Sequence, residues 1–422
     1  MQLESTKSSL LSREDHPYII YYVALSLITV LLTHPDSKVG EFYRILYSFA
    51  IFIPPILKGK WLPFSLNVFV SVSICSFSPL LPSKTILIVI AALAVGLLSK
   101  RIVLSGVKSI IWIFLIYIFL IALLYSDIQE LMAYSVLMTL ICIGSIGNKD
   151  EVSLFALSFV FVAIILSLMF LLNFETFLVQ YAKEEALDRS GWINPNMFGG
   201  HLSLGIVAAY WLFRSKTANK IWTIILLLSV GVSLLVLIMN ASRGALMASV
   251  LPIGIMVLFS KMKVGYKIVS LGLGALLVLY AFNNGFFDLL IYRLQDETVR
   301  TGGDRFTIWL EKLDAFNQNG ILSVVFGVGQ TNCELLGATG STHNDFVTAL
   351  LSYGIVGFVL FAIVIFNPLF STFHHFSIET IAFFTVMLVE SLVLEPFFRG
   401  YLIYYMFFLF ILKYNKHYVL QR

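Results

Sequence analysis

The chain has 422 residues, of which 59% are hydrophobic and 12% are charged, with a formal net charge of +4. Soluble domains carry about 25% charged residues, so this composition excludes an ordinary soluble enzyme and indicates a membrane protein. The small net charge gives no reason to expect a nucleic-acid partner.

Apolar segments recur along the whole chain, and most of them are long enough to cross a bilayer. About 20 helical residues span about 30 Å of hydrocarbon. No alternating pattern of period two runs through these segments, which favours helices over a barrel. We therefore predict an all-α polytopic membrane protein with about 12–14 transmembrane helices and a large outer loop that contains short amphipathic helices.

The apolar segments divide the chain into four regions. Residues 1–173 are expected to form the N-terminal transmembrane helices. Residues 174–283 add further transmembrane helices, a first outer loop at 174–196 and a short hairpin around Arg243. Residues 284–343 form the large outer loop, and residues 344–422 form the C-terminal transmembrane helices.

The distribution of basic residues predicts the orientation. If the N-terminus is cytoplasmic and the spans alternate, most lysines fall on inner loops, as the positive-inside rule requires, and both termini are cytoplasmic. The basic residues left outside are mostly arginines: Arg44, Arg189, Arg243, Arg293, Arg300, Arg305 and Arg399. Because the planar guanidinium suits a phosphate bidentately, some of these arginines are expected to bind a phosphate-bearing ligand. Pairing with acids or lipid headgroups is the alternative.

A polar cluster, Thr342-His343-Asn344-Asp345, opens directly into an apolar run of membrane length. The predicted helix start carries a dipole that disfavours the imidazolium, so His343 is suited to act as a general base. Asn344 and Asp345 are placed to orient its ring, although Asn344 could instead be only the helix cap. The alternative for His343 is a hydrogen bond within the loop. His201 lies inside a predicted span and is more simply explained by packing.

The large outer loop contains Gly303-Asp304-Arg305, in which Asp304 is a candidate N-cap. After it, one predicted helical face is apolar, while Glu311 and Lys312 lie off that face. The apolar residues are Phe306, Trp309, Leu310, Leu313 and Phe316. This pattern predicts a helix at the membrane interface, with Arg305 at a start that already favours an anion.

Two further segments offer ligand contacts. Asn194-Pro195-Asn196 precedes a span, where the amides of Asn194 and Asn196 could hold sugar hydroxyls or could simply form a turn and an N-cap. Arg243 sits in a short hairpin between two spans. An arginine near hydrocarbon depth is usually functional, and the alternative is an anchor that extends to the interface.

Several chemistries have no motif in the sequence. There is no Walker-type loop, no His-Glu-x-x-His, no Asp-x-Asp and no obvious carboxylate pair of a glycosidase. The three cysteines are far apart and indicate neither a disulfide framework nor a metal cluster. We therefore expect no cofactor and no bound metal.

Taken together, these motifs resemble the O-antigen polymerase and ligase superfamily. The resemblance spans about residues 189–358 and rests on the order and outer placement of the motifs. They are Asn194-Pro195-Asn196, Ser242-Arg243-Gly244, Gly303-Asp304-Arg305, and Thr342-His343-Asn344-Asp345 running into Tyr353-Gly354 and Gly357. The form of the asparagine and histidine motifs is more similar to the polymerases.

The resemblance implies a multi-span glycosyltransferase of the bacterial inner membrane, with its site at the periplasmic face. The implied donor is an oligosaccharide on undecaprenyl pyrophosphate, and the acceptor is another lipid-linked unit in a polymerase or lipid A–core in a ligase. Membrane lipids are further partners, and a chain-length regulator protein is a candidate partner. The implied catalytic residues are His343, Arg243 and Arg305, and the implied substrate-binding residues are Arg189, Asn194, Asn196, Arg300, Asn344 and Arg399.

A transporter or flippase of lipid-linked glycan is the competing class. Such proteins usually show internal repeats and charged residues at mid-membrane. The sequence shows no repeat, and few acids fall within spans. Glu390, which lies inside an apolar segment, is the best argument for a transporter.

Overall fold

The computed structural model describes much of the chain. The described ranges are residues 13–32, 49–75, 109–128, 149–174, 195–214, 220–240, 242–260, 263–285, 305–337, 341–370 and 377–398, with a few single positions besides. Within these ranges the chain is mainly helical and contains no strand, which confirms the predicted all-α class.

The helices are numbered in chain order. The first seven are α1 His16–Leu32, α2 Ile53–Leu57, α3 Leu62–Cys75, α4 Ser109–Leu124, α5 Lys149–Leu172, α6 Pro195–Arg214 and α7 Lys220–Met239. They are followed by α8 Arg243–Leu258, α9 Val264–Asn283, α10 Arg305–Gln318, α11 Ile321–Phe326, α12 Gln330–Leu335, α13 Asp345–Phe370 and α14 Ile378–Val393.

Three described helices are long and apolar enough to cross a membrane, namely α5, α7 and α13. Shorter apolar helices include α4, α8 and most of α1. These helices agree with a polytopic membrane protein. Several predicted spans, among them those within residues 76–108 and 132–148, lie outside the described residues, so the number of 12–14 stays a prediction.

The chain forms two compact units. The first comprises residues 1–101 and 146–240, and α5 lies at its centre, packed against α1, α3, α6 and α7. Small polar side chains join the helices at buried positions: Asn67 Nδ2 donates to Ser158 Oγ at 2.6 Å, and Ser167 and Ser233 share a hydrogen bond of 3.3 Å. Such pairs satisfy polar groups between apolar helices.

The second unit comprises residues 102–145 and 241–422. It contains α4, α8 and α9, the helices α10–α12 of the predicted large loop, and the pair α13 and α14. α14 packs against α8 and α13, while α13 also contacts α4, α10, α11 and α12. The loop helices therefore lie directly against a membrane-spanning helix.

α13 is interrupted at Gly354, whose φ of 66° and ψ of −171° are not helical. A backbone break inside a membrane helix requires new partners for the carbonyl groups near it, because hydrocarbon offers none. Leu351 O accepts from Val328 N at 3.1 Å, and Ser352 O accepts from Gly329 N at 2.9 Å. Tyr353 O accepts from the hydroxyl of Tyr117 on α4 at 2.8 Å.

The two backbones approach so closely that glycine is required on both sides. A Cβ atom at Gly327 would lie 2.2 Å from Ser352 O, and one at Gly354 would lie 2.3 Å from Val325 O. Both glycines also have positive φ, which L side chains rarely adopt. The connection from α11 to α12 is thus locked to the break in α13.

We predict that Gly354→Ala destabilises the protein. The left-handed backbone alone costs a non-glycine residue about 1–3 kcal/mol, and the clash with Val325 O adds to it. Thermal unfolding in detergent should therefore show a clear drop in Tm. Gly254→Ala on α8 is the matched control, because a Cβ there meets nothing within 4 Å. Equal Tm values for the two variants would contradict the predicted interlock.

Candidate active site

Residues 341–344, called here the histidine loop, lead into α13. Asn344 caps the helix, since its Oδ1 accepts from Phe346 N at 2.9 Å and from Val347 N at 3.1 Å. Its Nδ2 donates to Leu392 O at 3.4 Å, and the side chain is buried. The predicted cap is therefore present, while the proposed contact of Asn344 with substrate stays a prediction.

His343 adopts a left-handed backbone conformation with φ of 50°, which is uncommon for a residue other than glycine. Two successive turns hold it. Ser341 Oγ accepts from His343 N at 3.2 Å, and Thr342 Oγ1 accepts from Asn344 N at 3.3 Å. In each turn a hydroxyl binds the N–H two residues later, which is a common local device of serine and threonine.

The buried carboxylate of Glu395 lies beside the histidine loop. Ser341 and Thr342 both donate short hydrogen bonds to it, one to each oxygen. Thr348, in the first turn of α13, donates to the same carboxylate at 2.7 Å. Burying a charge is costly unless such partners are present, so the three hydroxyls make this position of Glu395 possible.

A second buried acidic side chain, that of Asp345, contacts the segment that follows Glu395. It accepts the backbone N–H of Phe397 at 3.2 Å and that of Phe398 at 3.4 Å. The start of α13 and the chain after α14 are therefore joined twice, with an acid from each side. Asp345, which the sequence suggested as an orienting group for the histidine ring, accepts these two backbone N–H groups, and its role toward the ring stays a prediction.

Both candidate catalytic arginines lie near Val393, the last residue of α14. Arg305 Nη1 donates to Val393 O at 3.1 Å. Arg243 is exposed at the first position of α8, and its neighbour Gly244 packs so tightly that a Cβ would lie 2.6 Å from Val393 Cγ2. The end of α14 thus contacts the Arg305 side chain directly and contacts the backbone next to Arg243.

The two arginines are close enough to influence each other electrostatically. Burial lowers the pKa of Arg305, the positive charge of Arg243 lowers it further, and the negative charge of Glu395 opposes both effects. An arginine remains charged despite such shifts. Two neighbouring positive charges repel each other, so an anion bound between them would relieve the repulsion.

The helix predicted after Asp304 is confirmed, because α10 begins at Arg305; Asp304 itself lies outside the described residues. Trp309 Nε1 donates to Thr342 O at 2.6 Å and so ties α10 to the histidine loop. Phe306 and Leu310 are exposed, whereas Phe316 packs with Val328, Cys333 and Leu351. Part of the apolar face of α10 therefore packs into a small hydrophobic core, and the other part is exposed on the surface of the protein.

The position of Lys312 differs from the predicted pattern of α10. The sequence placed its side chain off the apolar face, but the side chain is fully buried. Its ammonium donates to the carbonyl oxygens of Cys333, Glu334 and Leu336 at 2.8, 3.2 and 3.0 Å. These carbonyls lie at the end of α12, where a helix lacks donors and favours a cation. Burial lowers the pKa of Lys312. Helical periodicity did not indicate this partner because it comes from a later segment.

The structure describes five of the nine predicted site residues. Arg243, Arg305, His343 and Asn344 occur in the second unit, and Asn196 lies in the first turn of α6 in the other unit. The remaining four, Arg189, Asn194, Arg300 and Arg399, lie outside the described residues. The functional roles of all nine stay predictions.

Glu395 was not among the predicted site residues. The sequence offered one signal. Glu395 stands before Pro396 at the outer end of a predicted span, where an acidic residue usually has a structural or functional role. The polar cluster that contains Thr342 was recognised in the sequence, but nothing in it indicated Glu395 as the partner.

Comparison with known families fits this arrangement. Residues 227–362 match the family described as O-antigen ligase. The match covers about a third of the chain. The match confirms, for this part of the chain, the resemblance to the O-antigen ligase and polymerase superfamily, whose members are membrane glycosyltransferase-like enzymes. No curated protein matches the chain.

The matched segment includes Arg243, Arg305 and His343 but ends before Glu395. The three hydroxyl groups that donate to Glu395, in contrast, lie within it. The acid that completes the histidine loop therefore comes from the part of the chain that follows the matched domain.

Proposed function

We propose that the protein polymerises lipid-linked O-antigen repeat units at the periplasmic face of the bacterial inner membrane. The observation that carries the proposal is the joint attachment of Arg305 and the histidine loop to residues 393–395, within and beside an O-antigen ligase domain. A pair of positive charges and a candidate base are thereby brought to one end of α14.

The arginines suit a donor that leaves as a pyrophosphate. Negative charge grows on the leaving group as the bond between the sugar and the phosphate breaks, and preorganised cations stabilise that charge. Arg305 is partly buried and held by Val393 O, whereas Arg243 is exposed at the start of α8. One arginine is therefore held by a backbone carbonyl, and the other is accessible from outside the protein.

His343 suits the acceptor. Its ring nitrogen would take the proton from an acceptor hydroxyl, whose oxygen forms a bond to the anomeric carbon of the donor sugar. The bond from that carbon to the phosphate oxygen breaks, and undecaprenyl pyrophosphate leaves with the electron pair. Attack from the opposite side inverts the anomeric configuration. The pyrophosphate already activates the sugar, so this route uses no metal ion and no nucleotide.

Ligation of lipid-linked glycan to lipid A–core is the second candidate function, because the matched family is described as O-antigen ligase. The donor chemistry is the same in both reactions, and only the acceptor differs. The motifs Asn194-Pro195-Asn196 and Thr342-His343-Asn344-Asp345 favour the polymerase. A flippase is the candidate of another class, supported by Glu390, which is buried in α14.

Deletion of the gene and a gel of the surface glycans distinguish these functions. A lipid core that carries a single repeat indicates a lost polymerase. Bare core together with accumulated lipid-linked polymer indicates a lost ligase. If purified protein in detergent consumes lipid-linked oligosaccharide without any gradient, the flippase is excluded; if it forms no glycosidic bond under these conditions, the enzyme proposal is wrong.

We predict that Arg243→Lys and Arg305→Lys each reduce turnover by about 10²-fold, as loss of one preorganised donor typically does. Lysine keeps the charge but lacks the planar fork that binds phosphate bidentately. Turnover of lipid-linked donor by purified protein provides the measurement. Arg214→Lys at the end of α6 is the control and should behave as wild type. If both site variants turn over donor at the wild-type rate, the two arginines do not bind phosphate bidentately and contribute only their charge.

We predict that His343→Ala lowers turnover by about 10²–10⁴-fold, the usual contribution of a general base, while donor binding persists through the arginines. The exposed His16 provides a matched control as His16→Ala. Full turnover by His343→Ala would remove this residue from the mechanism.

A further inference from the structure

We infer that Glu395 is a positioning residue that sets the conformation of the histidine loop and thereby aims the His343 ring at the acceptor hydroxyl. The inference rests on the proposed function, because it assigns Glu395 a role through His343. It concerns a residue outside the matched O-antigen ligase domain.

The argument begins with the protons of the two loop hydroxyls. Ser341 Oγ already accepts the N–H of His343, and Thr342 Oγ1 already accepts the N–H of Asn344. Each hydroxyl has a single proton, which must then be donated to another group. Both protons have an acceptor in the carboxylate of Glu395, one at each oxygen. The side chain of Glu395 therefore fixes the orientation of the two hydroxyls that form the two successive turns.

Other acceptors would pull the hydroxyl of Thr342 away if Glu395 were absent. Thr342 Oγ1 lies 3.1 Å from Asn344 O and 2.5 Å from Thr348 Oγ1. The Glu395 oxygen is the nearest of the acceptors around the Thr342 hydroxyl, so the proton is directed to it rather than to the two competitors. Without it, the Thr342 proton can turn toward these groups, and the second turn loses its fixed geometry.

The backbone conformation of His343 shows why the hydrogen bonds to Glu395 matter. A left-handed residue other than glycine persists only where its surroundings hold it. The N–H of His343 is held by Ser341, and the next N–H is held by Thr342. Both holding groups depend on Glu395, so the direction in which the His343 side chain leaves the backbone depends on Glu395 as well.

The same segment also fixes an arginine. Val393, two residues before Glu395, accepts the hydrogen bond of Arg305. The position of the base and the position of one phosphate ligand are therefore set by residues 393–395 together. A small displacement of this segment would misalign the two relative to each other, and misplacement by about 1 Å can cost about 10²-fold in rate.

The test compares four variants in purified protein. Glu395→Ala removes both acceptors, and turnover should fall by about 10²-fold with the KM for lipid-linked donor nearly unchanged. Glu395→Gln keeps one oxygen for the threonines but offers an amide to Ser341, so a loss of about 10-fold is expected. Ser341→Ala should match Glu395→Gln. Thr385→Val is the control, because the Thr385 hydroxyl donates to Ile381 O within α14, and this variant should keep most of the activity.

A double-mutant cycle separates positioning from general stability. Glu395→Ala added to His343→Ala should cause little further loss, since a residue that acts through His343 has nothing left to position. A merely structural Glu395 would lower folded yield and would reduce the residual rate of His343→Ala by its full factor. Additive losses, or wild-type turnover in Glu395→Ala, would overturn the inference.

The outcomes also separate this inference from the proposed function. If wild-type protein forms no glycosidic bond in detergent, the proposed function fails. The double-mutant cycle is then measured on the glycan ladder of cells that express the same variants. If the loss in the double variant is no larger than the loss in His343→Ala alone, positioning is supported. If the two losses add, positioning is refuted. If His343→Ala abolishes turnover while Glu395→Ala leaves it intact, only the role of Glu395 is refuted.

Discussion

A helix that is broken inside a membrane must find hydrogen-bond partners for its backbone within the protein, because hydrocarbon supplies none. In α13 the break at Gly354 meets this constraint through Val328 N, Gly329 N and the hydroxyl of Tyr117. The constraint decides where the loop helices lie. Since the connection from α11 to α12 pairs with the break, α10 is brought to the start of α13, where Trp309 contacts the histidine loop.

Charge in this unit is solvated by the protein itself. The ammonium of Lys312 binds three carbonyls at the end of α12, the carboxylate of Asp345 binds two backbone N–H groups, and Glu395 receives three hydroxyls. Each of these buried groups therefore has hydrogen-bond partners that compensate for lost water. Arg243, in contrast, is exposed. A site with hydrogen-bonded internal groups and one exposed arginine is suited to bind an anion without rearranging its interior.

The sequence predicted what depends on local patterns. Apolar length predicted the membrane helices, the asparagine before an apolar run predicted the cap at Asn344, and Gly303-Asp304-Arg305 predicted the start of α10. It did not predict partners that come from distant segments. Lys312 was placed off the apolar face because helical periodicity contains no information about the end of α12. Glu395 was overlooked because its hydroxyl partners lie about 50 residues earlier in the chain, and a hydroxyl gives no signal of what it will bind.

The hydroxyl of Tyr117 has an implication for the order in which the chain is assembled. Its acceptor on α13 is 236 residues later, and Tyr125 on the same segment binds Gly327 O, 202 residues later. Contacts of such sequence separation form slowly, because a long chain must be closed before they contribute. During synthesis α4 therefore enters the membrane well before its partners exist. The break in α13 can be satisfied only after α4, the α11–α12 connection and α13 have all been made, which places completion of the site among the last events of biogenesis.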